Sequence, residues 1–253
     1  MIPKVIHYCW FGGKPLPPLA VKCIESWKKF LPDYEIRKWT EAEFDVDASD
    51  YTREAYAAGK YAFVSDYARF WILYRHGGIY FDTDVEVIAD MSGIISCGPF
   101  MGFEKDFGDS SRDMAVAPGL GLGAEPGMEF YREMLELYDS IHFSFGDGEK
   151  VPTVVSYTTD MFRKKGLKDN FGREVLRIEG IDLYPSEYFC PLSNDTYRLT
   201  ITPNTVAIHH FMASWVNKSP VKTVRKFIIR LFGKEFYDRL RAFKLKIFPS
   251  QWK

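Results

Sequence analysis

Residues 61–90 read YAFVSDYARFWILYRHGGIYFDTDVEVIAD, and the rest of the chain can be read outward from them. The first sixteen have the composition of a helix, which Gly77-Gly78 stops because the position past a helix end often needs the positive φ that glycine adopts freely. Ile79-Tyr80-Phe81 is bulky, β-prone and short, the signature of a buried strand. On such a strand Asp82 and Asp84 would share one face, with Cα atoms roughly 7 Å apart. Two carboxylates aimed together repel unless a cation sits between them, and hard oxygen ligands suit Mg²⁺ or Mn²⁺. A cation held this way can neutralise a diphosphate. One turn upstream, Asp66 and Arg69 are spaced i,i+3 on one helical face. A guanidinium binds phosphate oxygens in bidentate fashion and keeps its charge. The plain alternative is a surface ion pair at Asp66–Arg69 and an acidic turn at Asp82-Thr83-Asp84.

Ser65-Asp66-x-x-Arg69 followed by Gly77-Gly78-Ile79-Tyr80-Phe81-Asp82-Thr83-Asp84 resembles the signature of glycosyltransferase family 32. Two further blocks carry the resemblance: Ile2-Pro3-Lys4-Val5-Ile6-His7-Tyr8-Cys9-Trp10-Phe11-Gly12, and Ile208-His209-His210-Phe211-x-x-Ser214-Trp215. The family includes large clostridial toxin catalytic domains, fungal mannosyltransferases and bacterial capsule and polysaccharide enzymes. The resemblance implies an α/β chain of GT-A type, a single mixed sheet flanked by helices, with a nucleotide-sugar donor at the carboxyl ends of its strands. It implies that Trp10 stacks on the nucleotide base, Asp66 binds ribose or sugar hydroxyls, Arg69 touches sugar or diphosphate, and Tyr80 lines the same pocket. Asp82 would bind ribose near the metal, Asp84 would be a direct metal ligand, and Ser214 and Trp215 would close over the diphosphate. His209 and His210 face opposite sides of a strand, and the family pattern favours His210 as the third metal ligand with Asp84 and Asp82. Where some relatives carry an asparagine, the loop 117–123 here is glycine-rich.

The resemblance further implies a metal-dependent, retaining hexosyltransferase with Asp82, Asp84 and Arg69 as its catalytic groups and Mn²⁺ or Mg²⁺ as cofactor. A UDP-sugar is the favoured donor, GDP-mannose the alternative, and a saccharide or lipid-linked oligosaccharide of capsule or surface polysaccharide the acceptor. A catalytically silent nucleotide-sugar-binding protein is the rival from another class.

The 253 residues suit one α/β catalytic domain plus a tail, expected as 1–217 and 218–253. Aromatic residues make up 17% of the chain, enough for a large core and for a base and sugar site. Cys9, Cys23, Cys97 and Cys190 have neither paired nor metal-type spacing and read as free thiols of a reducing compartment. No signal sequence or membrane span is expected, since Met1-Ile2-Pro3 leads straight into a strand and no apolar run reaches about 18 residues. The formal net charge of −1 is unevenly spread. Residues 218–253 hold eleven Lys and Arg against Glu235 and Asp238, net +9, leaving −10 on the remainder. Val221, Val224, Phe227, Ile228, Leu231 and Phe232, then Phe236, Leu240, Phe243 and Ile247, form apolar stripes there, a basic amphipathic helical tail suited to an anionic membrane surface. Packing on the domain's own acidic surface is the alternative; no nucleic-acid motif accompanies the charge. The expected location is cytoplasmic, peripheral on the inner face of the cell membrane if the tail binds lipid.

Along the chain, strands are expected at 2–9, 34–39, 100–104, 114–117, twice within 175–189 and twice within 197–211. Helices are expected at 17–30, within 45–59, at 126–140 and from Pro152-Thr153 to Lys165. Thr40-Glu41-Ala42-Glu43 has capping-box form and should open a short helix. Glu104 or Asp106 could touch a sugar, although a solvated loop is the simpler reading. His7 reads as a satisfied core histidine.

Overall fold

The computed structural model describes residues 1–106, 114–144, 152–168, 174–194, 196–212, 229, 233 and 236–239. The chain forms two compact units, one of Met1–Pro191 with Ile201–Trp215, the other of Leu192–Thr200 with Val216–Lys253. In the smaller unit an isolated antiparallel bridge pairs Leu192 with Leu199. Apart from 229, 233 and 236–239, the amphipathic tail lies outside the described residues, as do Ser214 and Trp215.

The larger unit begins with β1 (Val5–Cys9), α1 (Pro18–Phe30) and β2 (Glu35–Trp39), a parallel pair joined by a helix. Two helices follow, α2 (Asp50–Ala57) and α3 (Tyr61–His76), before β3 (Gly78–Tyr80) returns to the other side of β1, again parallel. Successive parallel strands thus leave β1 in opposite directions. The crevice at their carboxyl ends is the topological switch point, where open α/β sheets take their ligands. Next come β4 (Val85–Val87), α4 (Ser92–Cys97), β5 (Phe100–Lys105), β6 (Ala115–Ala117), β7 (Leu122–Ala124), α5 (Glu129–Asp139), α6 (Val154–Lys164), β8 (Leu176–Ile178), β9 (Ile181–Tyr184), α7 (Ser186–Phe189) and β10 (Ala207–His209). Eight strands make one mixed sheet in the order β2-β1-β3-β7-β5-β9-β8, with β6 on β5, while β10 and β4 pair antiparallel in a ladder of their own. The mixed sheet flanked by helices that the resemblance implied is therefore present.

Gly77 and Gly78 are enforced by packing as well as by backbone angle. Their φ values are 62° and 98°, and a Cβ on Gly78 would lie 2.7 Å from the Val5 carbonyl oxygen and 2.9 Å from His7 Nε2. The helix therefore ends against the first strand, which fixes where β3 and the acidic residues beyond it begin.

His7 is a core histidine, fully buried. Its Nδ1 accepts from Trp39 Nε1 at 3.0 Å, so Nε2 carries the proton and donates to the Gly77 carbonyl at 3.0 Å. A second proton would face an indole N–H, and burial lowers the pKa to about 4. In the unfolded chain the ring protonates near its ordinary value of about 6.5. Stability present above that pH is therefore lost as pH falls towards 4, by about 3 kcal/mol from this group. Urea unfolding across this window should show the decline, and His7→Asn should flatten it.

Three expectations need correction. Residues 41–44 form a turn, not a helix: Glu43 accepts from the Thr40 amide and hydroxyl, but the Thr40 hydroxyl accepts from the Ala42 amide and not from the Glu43 amide, so the capping box is only half made. Only one of the two strands expected in 197–211 exists within it, β10. The glycine-rich loop at 117–123 is partly strand, since β7 pairs with both β3 and β5.

Candidate active site at the switch point

Trp10 follows β1, and its amide continues the ladder to the Trp39 carbonyl. The ring is half-buried, with Nε1 donating to the Lys14 carbonyl at 2.5 Å. Beside it, Gly12 donates its amide to Glu41 Oε1 at 2.6 Å, so a residue sequence reasoning passed over anchors this loop. A side chain on Gly12 would run into the Tyr61 ring at the start of α3.

Asp66 and Arg69 form an ion pair, but a buried one, 8% and 3% exposed. Arg69 Nη2 donates to Asp66 Oδ1 at 2.8 Å and lies 3.2 Å from Asp82 Oδ1, while Nε donates to the Ser65 carbonyl. The guanidinium lies over the Tyr80 ring, 5.0 Å from its centroid, and the Tyr80 hydroxyl donates to Asp82 Oδ1 at 3.2 Å. One guanidinium therefore serves two carboxylates. Arg69 Nη1 is buried and has no hydrogen-bond partner among the described residues. Burial raises the Asp66 carboxyl to about 7, against the pull of Arg69 and with the charge of Asp82 adding to the rise. A buried guanidinium with an unused N–H is costly unless an acceptor arrives, and a phosphate or hydroxyl oxygen would supply one.

Asp82-Thr83-Asp84 is a turn, closed by the Val85 amide on the Asp82 carbonyl, rather than an extension of the strand. The shared strand face expected for the two carboxylates is therefore lost, and each has its own partners. Asp82 turns to Arg69 and Tyr80. Asp84, 7% exposed, has Oδ1 at 3.2 Å from His209 Nε2 and Oδ2 accepting from the Met212 amide at 2.7 Å. Burial pushes the Asp84 carboxyl up, but His209 and the Met212 N–H together hold it below its ordinary value.

The histidine expected to join the metal, His210, points elsewhere: its Nε2 is 2.8 Å from Glu86 Oε2, and Glu86 also binds Lys22. His209 is the one that meets Asp84, because β10 pairs antiparallel with β4 and sets His209 opposite Val85, the residue after Asp84. No local feature distinguishes the two histidines; only that register does. His209→Ala should therefore impair donor turnover at least about tenfold more than His210→Ala, measured as nucleotide release at saturating metal.

Asp106 is not free for a sugar. It is buried and accepts from both the Ser186 amide, at 2.8 Å, and the Ser186 hydroxyl, at 2.6 Å, at the start of α7. The rest of the loop that follows Asp106, from 107 to 113, lies outside the described residues.

Among the described residues no group of three His, Cys, Asp or Glu side chains forms a ready-made metal cage. The donor set nevertheless fits a divalent cation. Mg²⁺ and its like are commonly held by one or two carboxylates with waters and substrate phosphates supplying the rest, and Asp84 with His209 offers an oxygen and a nitrogen at one corner.

Trp10 after β1, the buried Asp66–Arg69 pair on α3 and the Asp82–Asp84 turn after β3 together make up the candidate site. Residues 17–101 match the family model described as a glycosyltransferase sugar-binding region containing the DXD motif, and they carry Asp66, Arg69 and the Asp82–Asp84 turn. The chain is also 30% identical over 122 residues to inositol phosphoceramide mannosyltransferase 3 of Schizosaccharomyces pombe, a stretch that is 47% of this chain and 34% of that protein. It thus spans about a third of the length of the curated relative it matches. Among solved structures, the PaToxG glycosyltransferase aligns with 54% of this chain and 60% of its own, at a TM-score of 0.43 and 18% identity.

Proposed function

We propose that this chain is a metal-dependent glycosyltransferase that moves a hexose from a nucleotide diphosphate sugar to a saccharide acceptor. The observation that carries the reading is Arg69, buried between two carboxylates with its Nη1 unpartnered among the described residues, next to an Asp-x-Asp turn whose second carboxylate meets a histidine. Trp10 stacks on the base, Asp66 and Asp82 take hydroxyls of ribose or sugar, and Tyr80 holds Asp82 in place. Asp84 and His209 would hold Mn²⁺ or Mg²⁺, which when bound offsets the negative charge that develops on the departing diphosphate. Arg69 supplies a fixed positive charge to the same oxygens. No carboxylate among the described residues is assigned as a nucleophile, and the acceptor hydroxyl attacks the anomeric carbon from the face the diphosphate leaves. Its proton passes to the departing phosphate oxygen, and configuration is retained.

A UDP-sugar is the favoured donor. GDP-mannose is the second choice, suggested by the mannosyltransferase relative. A lipid-linked oligosaccharide acceptor of capsule or surface polysaccharide would agree with a basic tail lying on anionic lipid; among the described residues no helix is long and apolar enough to cross a membrane. Incubation with a panel of nucleotide sugars and Mn²⁺, with and without EDTA, tests the reaction. Metal-dependent release of one nucleotide is expected, and no release from any donor would overturn the reading. Flotation with phosphatidylglycerol vesicles, comparing the full chain with one ending at 217, tests the tail; equal binding by both would count against it.

A further inference from the structure

Gly119 lies beneath the acidic turn, and its carbonyl accepts from the Asp82 amide at 3.0 Å. A Cβ built there would fall 1.9 Å from Asp82 Oδ2, 2.9 Å from the Asp82 carboxyl carbon and 3.2 Å from Arg69 Nη1. The Asp82 carboxylate therefore occupies the space that any other residue at 119 would fill. The backbone angle at Gly119 is not in the left-handed region, so the requirement for glycine is steric alone. We propose that Gly119 is a positioning residue for the donor site: by having no side chain it lets Asp82 fold down against Arg69 and Tyr80, and so sets which way the first carboxylate of the turn points.

Two facts make the position consequential. Asp82 is the carboxylate of the turn that contacts Arg69, at 3.2 Å, and that contact fixes one side of the guanidinium. On the other side Nη1 remains without a partner, and it is the atom a side chain at 119 would crowd next after Asp82. A methyl group at 119 must therefore displace Asp82, crowd Arg69, or both. The neighbouring glycines differ in what they make room for. Side chains at 121 and 123 would meet the rings of Phe81 and Phe100, which is packing of the core and not of the site.

This inference rests on the proposed function for its ligand but not for its geometry, and the experiment separates the two. Gly119→Ala, Asp82→Ala and the double variant are compared in the full chain by thermal melting without ligand and by titration with UDP and UDP-glucose in Mn²⁺. Without ligand, Gly119→Ala should melt several degrees below the parent, and adding Asp82→Ala should recover most of that loss by vacating the contested space. With ligand, Gly119→Ala should weaken affinity about tenfold, and the double variant should bind no worse than Asp82→Ala alone, the non-additivity expected of residues in contact. Loss for both ligands would assign Asp82 to a hydroxyl of the ribose, and loss for UDP-glucose alone to one of the transferred sugar. Additive melting losses, or unchanged affinity in Gly119→Ala, would overturn the inference. If the parent itself binds neither ligand, the proposed donor is wrong and the melting cycle still decides the role of Gly119.

Discussion

Asp84→Asn is expected to abolish metal-dependent transfer, lowering turnover at least about 10²-fold, while leaving the fold intact. The amide is the same size and can still accept from the Met212 N–H, so the closing of residues 207–212 onto the turn survives. What it lacks is the negative charge that His209 and a divalent cation require. The check is a pair of measurements: nucleotide release under saturating donor and Mn²⁺, and the melting temperature. Near-normal release from Asp84→Asn would mean that the diphosphate departs without this carboxylate. A large drop in melting temperature with no activity would show instead that Asp84 acts chiefly as a structural partner of β10.

Arg69→Lys should be nearly as damaging, with donor affinity and turnover together reduced about 10²-fold or more. Lysine keeps the charge but not the planar fork, and here two arms of the fork are engaged while the third is open: Nη2 holds Asp66 and Asp82, Nε holds the Ser65 carbonyl, and Nη1 waits for an acceptor. One ammonium cannot span those positions from the middle of α3. Replacement by alanine is a poorer test, because two carboxylates would be left without their cation in a buried site, and removing one partner of such a pair costs about 3–5 kcal/mol. Lysine separates recognition from folding. Urea midpoints beside kcat/KM for the donor show which has failed, and a lysine variant with kcat/KM within about threefold of the parent would remove Arg69 from the diphosphate site.

Much of the geometry of the candidate site was legible because its residues lie close in sequence and their local structures are self-announcing. An i,i+3 spacing places Asp66 and Arg69 on one helical face whatever the helix packs on. Two glycines end that helix wherever it points. The place of Trp10 just past the first strand followed from the apolar run that precedes it. The failures have one physical character. Asp82 and Asp84 were expected side by side on a strand, yet the chain turns at Asp82, and whether a three-residue strand runs on or turns depends on what its neighbours pair with. His210 was preferred over His209, although adjacent residues on a strand differ only in which face meets which partner. Asp106 looked like a free loop acid until Ser186, eighty positions away, used both its oxygens.

By itself the amino-acid sequence determined the helix 61–76, its stop at Gly77, the short buried strand beyond and the identity of the acidic and basic groups that follow. These depend on backbone sterics and side-chain periodicity, forces that act within a few residues. Only the tertiary structure decided how those groups are shared out: Asp82 to Arg69 over a bare Gly119, Asp84 to His209 through the register of β10 on β4. That division rests on contacts between residues 13 to 125 positions apart, and chain order carries no direct record of which atoms folding will bring within hydrogen-bonding distance of one another.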